Sequence, residues 1–504
     1  MKPTSMSTNI AAKTTKGLAP KAVLTVLFLL LAICAVGATT SERSPRESKV
    51  ARTAVQVRIG GTPSDGIVCF GMKLNSVVAT AADGTTAPLV ASPLSVEIMH
   101  WAGDSETVAV SSLPRGQYTQ VTIQASDART TSLDPVSGLL VTRRLSKIYK
   151  AVLSFTPALT VDANPVVFNF QISPEDIVNA SMGKSATKNG SAMFRVNAVR
   201  VSTLGKQKPE NGSVGRIVGS VTSVSSNSFT VQNGQTGTAL TFGVTSSTQF
   251  RNGTLSTLSG LIVAVRGQSD KNGSLTALKV EVLENHQGLV MEGVVSDNIP
   301  NSSMVTLASQ DGSGTGMKSS IVGIGVSVDM SENPNYVVDT NNIDMTGLQS
   351  LQFDGDSMVL GQHLQVQSMR GIRHDTNGNA ALMVAETVRL EPQALIGSVA
   401  NYQAGTAAGT ASFDLVFATD ASMRVINPFF YTMHVYQQRG TDVQSLSPGI
   451  GNGSAVRVWG LVFYSPLPQS GAVIRAAGRA VQLLGRHHEQ PVFQMVAGRI
   501  SSNQ

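Results

Sequence analysis

From Val55 onward the chain is written in short runs of alternating apolar and polar residues, broken by Gly, Pro and Asn. Val55-Gln56-Val57-Arg58-Ile59, Met72 to Val78, Leu94 to Ile98, Tyr118 to Ile123, Leu153-Ser154-Phe155 and Val166 to Phe170 all carry strand patterning. Period two sends successive side chains to opposite faces, so each run is a strand with one face toward a core. Strands at this spacing predict a β-sandwich over residues 54–203, with Met193-Phe194-Arg195-Val196 as its last strand.

Beyond residue 214 the same grammar is used three times. Each set opens with a Gly inside an apolar run: Ile217-Val218-Gly219-Ser220-Val221, Met291-Glu292-Gly293-Val294-Val295 and Leu395-Ile396-Gly397-Ser398-Val399. Gly in a strand marks a bulge, a bend or a close backbone approach. An alternating run follows: Ser228 to Val231, Met304 to Leu307, Phe413 to Phe417. Then comes a Gly two residues before another apolar strand: Gly260, Gly361 and Gly453. Each set closes with a turn (Lys271-Asn272-Gly273, Thr376-Asn377-Gly378, Gln469-Ser470-Gly471) and one more strand. The opening glycines are about 74 and about 104 residues apart, so these are serial domains with insertions, not a stacked solenoid. The expectation is all-β: the sandwich, then three small β-barrel-like, OB-like domains at 215–286, 287–392 and 393–486. Residues 39–53 and 204–214 read as linkers, and 487–504 as a tail.

The first residues change the picture of where this chain works. Residues 1–21 are basic through Lys2, Lys13, Lys16 and Lys21, and residues 22–38 are almost unbroken apolar sequence. That is the composition of an export signal, with Val36-Gly37-Ala38 as an acceptable cleavage site. The same run is long enough to stay as an N-in membrane anchor. Leu31-Ala32-Ile33-Cys34 is similar to a bacterial lipobox, with Cys34 as the lipidation candidate, although Ile33 stands where that motif has a small residue. Cleavage, lipidation and retention all place the remainder in the cell envelope or outside the cell.

Charge then loses its apparent meaning. The chain has 38 Lys/Arg against 32 Asp/Glu, a surplus of six. Residues 1–52 hold eight basic and two acidic residues, which is the whole surplus, so the rest is formally neutral. A phosphate-binding surface needs excess cation, and on this ground no nucleic-acid partner is expected. Of two cysteines, one is in the leader; Cys69 lies in the strand pattern Gly66-Ile67-Val68-Cys69-Phe70 and reads as a small buried hydrophobe, not a reactive thiol.

Two stretches resemble known families. Ser112-Leu113-Pro114-Arg115-Gly116-Gln117-Tyr118-Thr119-Gln120-Val121, with the later strand at Phe168 and Phe170, resembles domain of unknown function 4382 over about residues 54–203. The repeats resemble domain of unknown function 5666. The first carries that pattern in Gly219, Phe229, Val231, Leu258, Gly260, Val263, Val265, Gly267, Gly273, Leu275 and Ala277. The second departs from it at Ser368, and the third keeps Gly453, Val456, Val458 and Gly460 around a long aromatic insert. The resemblance implies exported, often lipid-anchored proteins without assigned chemistry, and it carries over no catalytic residue.

Candidate chemistry is sparse. His487-His488-Glu489 reads as solvated tail, not as a metal grip, and Asp375-Thr376-Asn377-Gly378-Asn379 with Glu386 reads as a hairpin turn, since Ala380 occupies the position where a calcium loop requires Gly. Gln310-Asp311-Gly312-Ser313-Gly314-Thr315-Gly316 reads as a flexible loop, because no helix follows it to cradle phosphate. No nucleophile elbow, zinc-protease motif or P-loop occurs. Neither a cofactor nor a metal is expected, and the chain does not read as an enzyme. The aromatics Phe429, Phe430, Tyr431, Trp459 and Tyr464 are the one candidate binding face, beside Tyr436 and Phe463. The expectation is a non-catalytic scaffold, adhesion or binding module with an envelope protein or polysaccharide as partner. The alternative is a carbohydrate-binding accessory protein using those aromatics, and a hydrolase comes third.

Overall fold

The computed structural model describes residues 51–502 apart from 63, 65, 91–92, 102–104, 135–136, 138, 146, 184–192, 201–212, 235, 270–273, 285–287, 299–302, 315–322, 341–342, 349, 375–380, 408, 418–426, 428–430, 445–448 and 466–491. The leader with Cys34, the repeat turns at 271–273, 376–378 and 469–471, and His487-His488-Glu489 lie outside the described residues.

The first domain is two sheets face to face. Its elements are β1 (Arg52–Gly61), β2 (Ile67–Ala81), β3 (Thr86–Pro88), β4 (Leu94–Glu97), β5 (Glu106–Pro114), β6 (Gly116–Leu133), β7 (Leu140–Leu145), β8 (Tyr149–Val161), β9 (Val166–Ile172), α1 (Pro174–Ser181) and β10 (Phe194–Arg200). One sheet runs β10-β9-β1-β5; the other runs β3-β2-β6-β7, with β4 on β2 and β8 on β6. The inward positions of both fill one core, including Val57, Ile59, Leu74, Val121, Phe168 and Phe170. α1 starts where Ser173 accepts the Asp176 N–H and Pro174 takes the first turn. The Leu113-to-Tyr118 motif turns the β5–β6 corner, where the Tyr118 hydroxyl donates to the Pro114 carbonyl at 2.8 Å. That motif is therefore structural: it pins the corner at which the chain passes from one sheet to the other.

Three barrels follow. The first holds β11 (Ser213–Val224), β12 (Ser228–Asn233), β13 (Ala239–Gly243), β14 (Gln249–Arg251), β15 (Ile262–Ser269) and β16 (Leu275–Glu284). The second holds β17 (Leu289–Asn298), β18 (Met304–Gly314), β19 (Gly325–Asp329), β20 (Asn335–Val338), β21 (His363–Ser368), β22 (Arg373–His374), β23 (Ala381–Val384) and β24 (Thr387–Leu390). The third holds β25 (Gln393–Ala404), β26 (Ala411–Val416), β27 (Thr432–Gln444), β28 (Ala455–Ser465) and β29 (Val492–Ser502).

All three share one topology. In the third, β25-β26-β27-β29-β28 close a barrel, with β27 and β29 parallel and the other pairs antiparallel. In the first, β11-β12-β13-β16-β15 repeat the order, closed by the parallel β13–β16 pair. In the second, the closing strand is split: β23 pairs parallel with β19, and β24 pairs antiparallel with β21. This ring order is that of a small Greek-key barrel of the OB type.

The repeated glycines have a common geometry. Gly260, Gly361 and Gly453 take φ of 78°, 92° and 85°, the left-handed region that favours Gly. Their N–H groups donate to the carbonyls of Val221, Val295 and Val399 at 2.9, 2.7 and 2.7 Å. Those same valines donate back to the next residues, Leu261, Gln362 and Ser454, each at 2.9 Å. The opening glycines are close approaches, not left-handed positions. A Cβ on Gly397 would stand 2.5 Å from the Val416 carbonyl oxygen, and one on Gly219 would stand 2.7 Å from Val231 Cγ1.

Two expectations need correction. The tail at 487–504 contains β29, the strand that closes the third barrel. Its alternation sends Phe493, Met495, Ala497 and Ile500 into that core. The flexible loop at 310–316 is, through Gly314, the end of β18. There it pairs with β17, and Gln310, Asp311 and Ser313 are buried.

Candidate functional site

The second barrel presents two faces. Leu289, Met291, Leu307, Leu364, Val366, Val388 and Leu390 point into its core. The alternate residues form a row across four strands: Asp311 on β18, Glu292 on β17, Gln365 on β21 and Arg389 on β24, paired neighbour to neighbour. Period two makes these solvent-facing in an isolated barrel. Here they are 5, 7, 0 and 5% exposed, because the first barrel and the sandwich cover them. Apolar contacts flank the row. Val218, Ile262, Ala264 and Leu283 meet Val290 on one side, and Val68 and Cys69 meet Ala308 on the other.

The first barrel contributes Arg216, which contacts Glu292 closely and lies 3.3 Å from Glu391 and 4.0 Å from Asp339. Gln365 donates to Glu292 at 2.7 Å, and Arg389 reaches Glu281 of the first barrel at 3.1 Å. The three carboxylates share this guanidinium unequally. Burial pushes Glu292 up, but Arg216, with His363 and His100, reverses this and holds it at about 2. Burial raises Glu391 to about 8 against the pull of Arg216, with Asp339 and Glu292 adding to the rise. The guanidinium thus serves Glu292 first, and Glu391 keeps its proton near neutrality. Burial lowers the pKa of His363, whose Nδ1 lies 3.3 Å from the Pro392 carbonyl.

The sandwich contributes a second cluster. Glu97, 0% exposed, accepts from the N–H groups of Phe70, Met99 and His100 at 2.8, 3.0 and 3.0 Å, and contacts His100 Nδ1 at 2.8 Å. His100 Nε2 lies 3.9 Å from Asp311 Oδ2. Asn233 of the first barrel donates to Glu106 at 2.7 Å. Burial works against charging His100, yet the bond to Glu97 and the charges of Glu97, Asp311 and Glu106 raise it to about 9. Burial raises Asp311 to about 7, with His100 opposing and Glu292 adding. His100, Glu106 and Asp311 each offer one ligand atom, and these atoms lie within 4.8 Å of one another.

Among the described residues, the predicted aromatics do not gather on one face. Tyr431 is exposed at 49%. Trp459 packs against the core of the second barrel, with the Arg499 guanidinium 5.7 Å from its ring. Tyr464 leans on Phe493, centroids 5.5 Å apart, at the core of the third barrel. Tyr436 and the buried Phe463 also belong to the second barrel's core. Phe429 and Phe430 lie outside the described residues. Cys69 is buried, as expected, and burial raises its thiol well above the usual range. The polar junction went unseen in the sequence because its members are scattered from residue 97 to 391 and no local spacing joins them. Among the described residues, no helix is long and apolar enough to cross a membrane.

Comparison with curated proteins finds no match. Among solved structures, one described as drosophila Unr CSD456 is 9% identical, with 49% of this chain and 90% of that chain covered and a TM-score of 0.12. A multidomain protein with nucleic acid binding domains from Streptococcus pneumoniae is 11% identical, with coverages of 56% and 73% and a TM-score of 0.11. Likeness at this level transfers no site. The exclusion of nucleic acid made above from average charge is withdrawn, one of these matches being described by its nucleic acid binding domains. At the level of families, residues 218–281, which run from β11 into β16 of the first barrel, match Domain of unknown function (DUF5666).

Proposed function

We propose that this chain is an exported, non-catalytic scaffold of the cell envelope, held at the membrane through residues 22–38, that binds an envelope protein or polysaccharide through loops of its β modules. The observation that carries this reading is the burial of its charged chemistry. The row Asp311–Glu292–Gln365–Arg389 and its partners Arg216, Glu97 and Glu391 join three domains, at exposures too low to receive a substrate. Groups so placed fix domain geometry, and a fixed array of small barrels suits surface recognition by loops. The resemblance of residues 54–203 to domain of unknown function 4382 supports the envelope setting. The shared ring order and glycine exchange extend the 5666-type reading to the second and third barrels.

The test has two arms. Cell fractionation and protease treatment of intact cells should find residues beyond 53 outside the cytoplasm; recovery in the cytosol sinks the export reading. The purified full chain should then bind a partner saturably, without turnover, in a panel of cell-wall polysaccharides, envelope extracts and oligonucleotides. Turnover of any panel substrate refutes the non-catalytic reading, and saturable binding to oligonucleotides alone replaces the partner.

A further inference from the structure

We propose that His100, Glu106 and Asp311 form a binding site for one divalent transition-metal ion of the zinc class, clipping the sandwich to the second barrel. The donors are one imidazole nitrogen and two carboxylate oxygens, a set that suits zinc and its neighbours better than calcium, which takes six to eight oxygens. Zinc bonds of about 2.0–2.2 Å set tetrahedral ligand–ligand edges at about 3.3 Å. The His100 Nε2 to Asp311 Oδ2 separation is 3.9 Å, so side-chain shifts of well under an ångström seat an ion between them.

Each donor is also oriented from behind. Glu97 engages His100 Nδ1 and is itself fixed by backbone N–H groups, which directs Nε2 toward Asp311. This carboxylate–imidazole relay sets tautomer and ring orientation in metal sites. Asn233 holds Glu106, and the Gly312 N–H holds Asp311 Oδ1 at 2.6 Å. Two ligands come from the sandwich and one from the second barrel, so the ion would form only in the docked arrangement and would stabilise it.

The test uses the full chain, purified in detergent, stripped with a chelator and dialysed against zinc chloride. Elemental analysis should find one zinc per chain. Cobalt(II) in its place should give the strong visible absorption of a four-coordinate nitrogen–oxygen site. Asp311→Asn and Glu106→Gln, near-isosteric changes, should each weaken zinc binding at least tenfold with an unchanged far-ultraviolet dichroism spectrum. His487→Ala with His488→Ala should leave it unchanged. No zinc retained by the folded wild-type chain, a cobalt spectrum of the weak six-coordinate kind or one with thiolate bands, or binding lost in the His487/His488 variant would each overturn the proposal. The wild-type stoichiometry and spectrum decide the matter even if a variant fails to fold.

Discussion

Adding a single methyl group at Gly397 tests the barrel geometry directly. The backbone of Gly397 is outside the left-handed region, so Ala is locally permitted, and in open strand Ala would be favoured by about 0.5–1 kcal/mol. The structure predicts the opposite sign. A Cβ there would lie 2.5 Å from the Val416 carbonyl oxygen and 3.0 Å from both Cγ and Cδ1 of Leu415. A carbon meets a carbonyl oxygen comfortably at about 3.3 Å, so β25 and β26 would have to part by about 0.8 Å. Leu415 is 0% exposed and cannot retreat without disturbing the core it fills. Overpacking against backbone and a buried Leu costs about 2–3 kcal/mol, the upper part of the usual range, which leaves a net loss of about 1–2.5 kcal/mol after the entropic gain. Domains near this size lose about 4–8 °C per kcal/mol. The chain has two tryptophans, and Trp459 is on β28 of the same barrel. In a Trp101→Phe background its fluorescence reports the seam where this barrel's β28 packs on the second barrel during a thermal or denaturant titration. A transition unchanged or raised in Gly397→Ala would refute the close approach, and with it the reading of Gly219 and Gly293 as equivalent contacts.

Gly453→Ala should cost about 1–2 kcal/mol for a different reason, since its φ is 85° with nothing within 4 Å of a Cβ; Gly453→Asn should recover part of the loss in the same titration. Arg216→Met should destabilise the chain by about 3–5 kcal/mol, measured by urea unfolding, because it removes the cation that contacts the buried carboxylate of Glu292. Glu391 binds its proton more tightly folded than unfolded, so its contribution is present below about pH 4.5 and is lost as pH rises toward 8. Glu391→Gln should therefore flatten the fall of stability across that window, and an unchanged pH profile would count against the assignment. In a Cys34→Ser chain, Cys69 should react with a thiol reagent only as fast as the sandwich parts from the second barrel; immediate reaction of the native protein would contradict its burial.

The strands were legible because their periodicity is local. Val55 to Ile59, Ser228 to Val231 and Ala455 to Gly460 lie in β1, β12 and β28, and the three left-handed glycines stand where the spacing of the repeats put them. β29 was legible in principle: Phe493, Met495 and Ala497 alternate as a strand should, but the turn read at Gln469-Ser470-Gly471 put the expected closing strand at earlier residues. The junction was not legible. Glu292, Gln365 and Arg389 occupy polar positions on alternating strands, which is what a solvent-facing surface looks like in sequence. Only the docking of one domain on another buries them, and one chain's sequence holds no local record of that event.

This difference bears on what the array is for. Serial barrels joined by linkers would be independent beads if their outer faces were polar and solvated. Here the apolar contacts around Val290 and around Cys69 bring three domains together, but apolar patches of that kind tolerate sliding. A buried ionic row does not. Glu292 meets Arg216 and Gln365, Arg389 meets Glu281, and Asp311 faces His100; a shift of two residues along β17 would move Val290 or Val294 into contact with these charges. Each misplaced partner would then leave a buried charge uncompensated, at several kcal/mol. The row therefore contributes little net stability relative to an apolar interface and much selectivity for one docking geometry. An array held in one geometry keeps the spacing between its loops constant, which is the property that surface recognition by several modules at once requires.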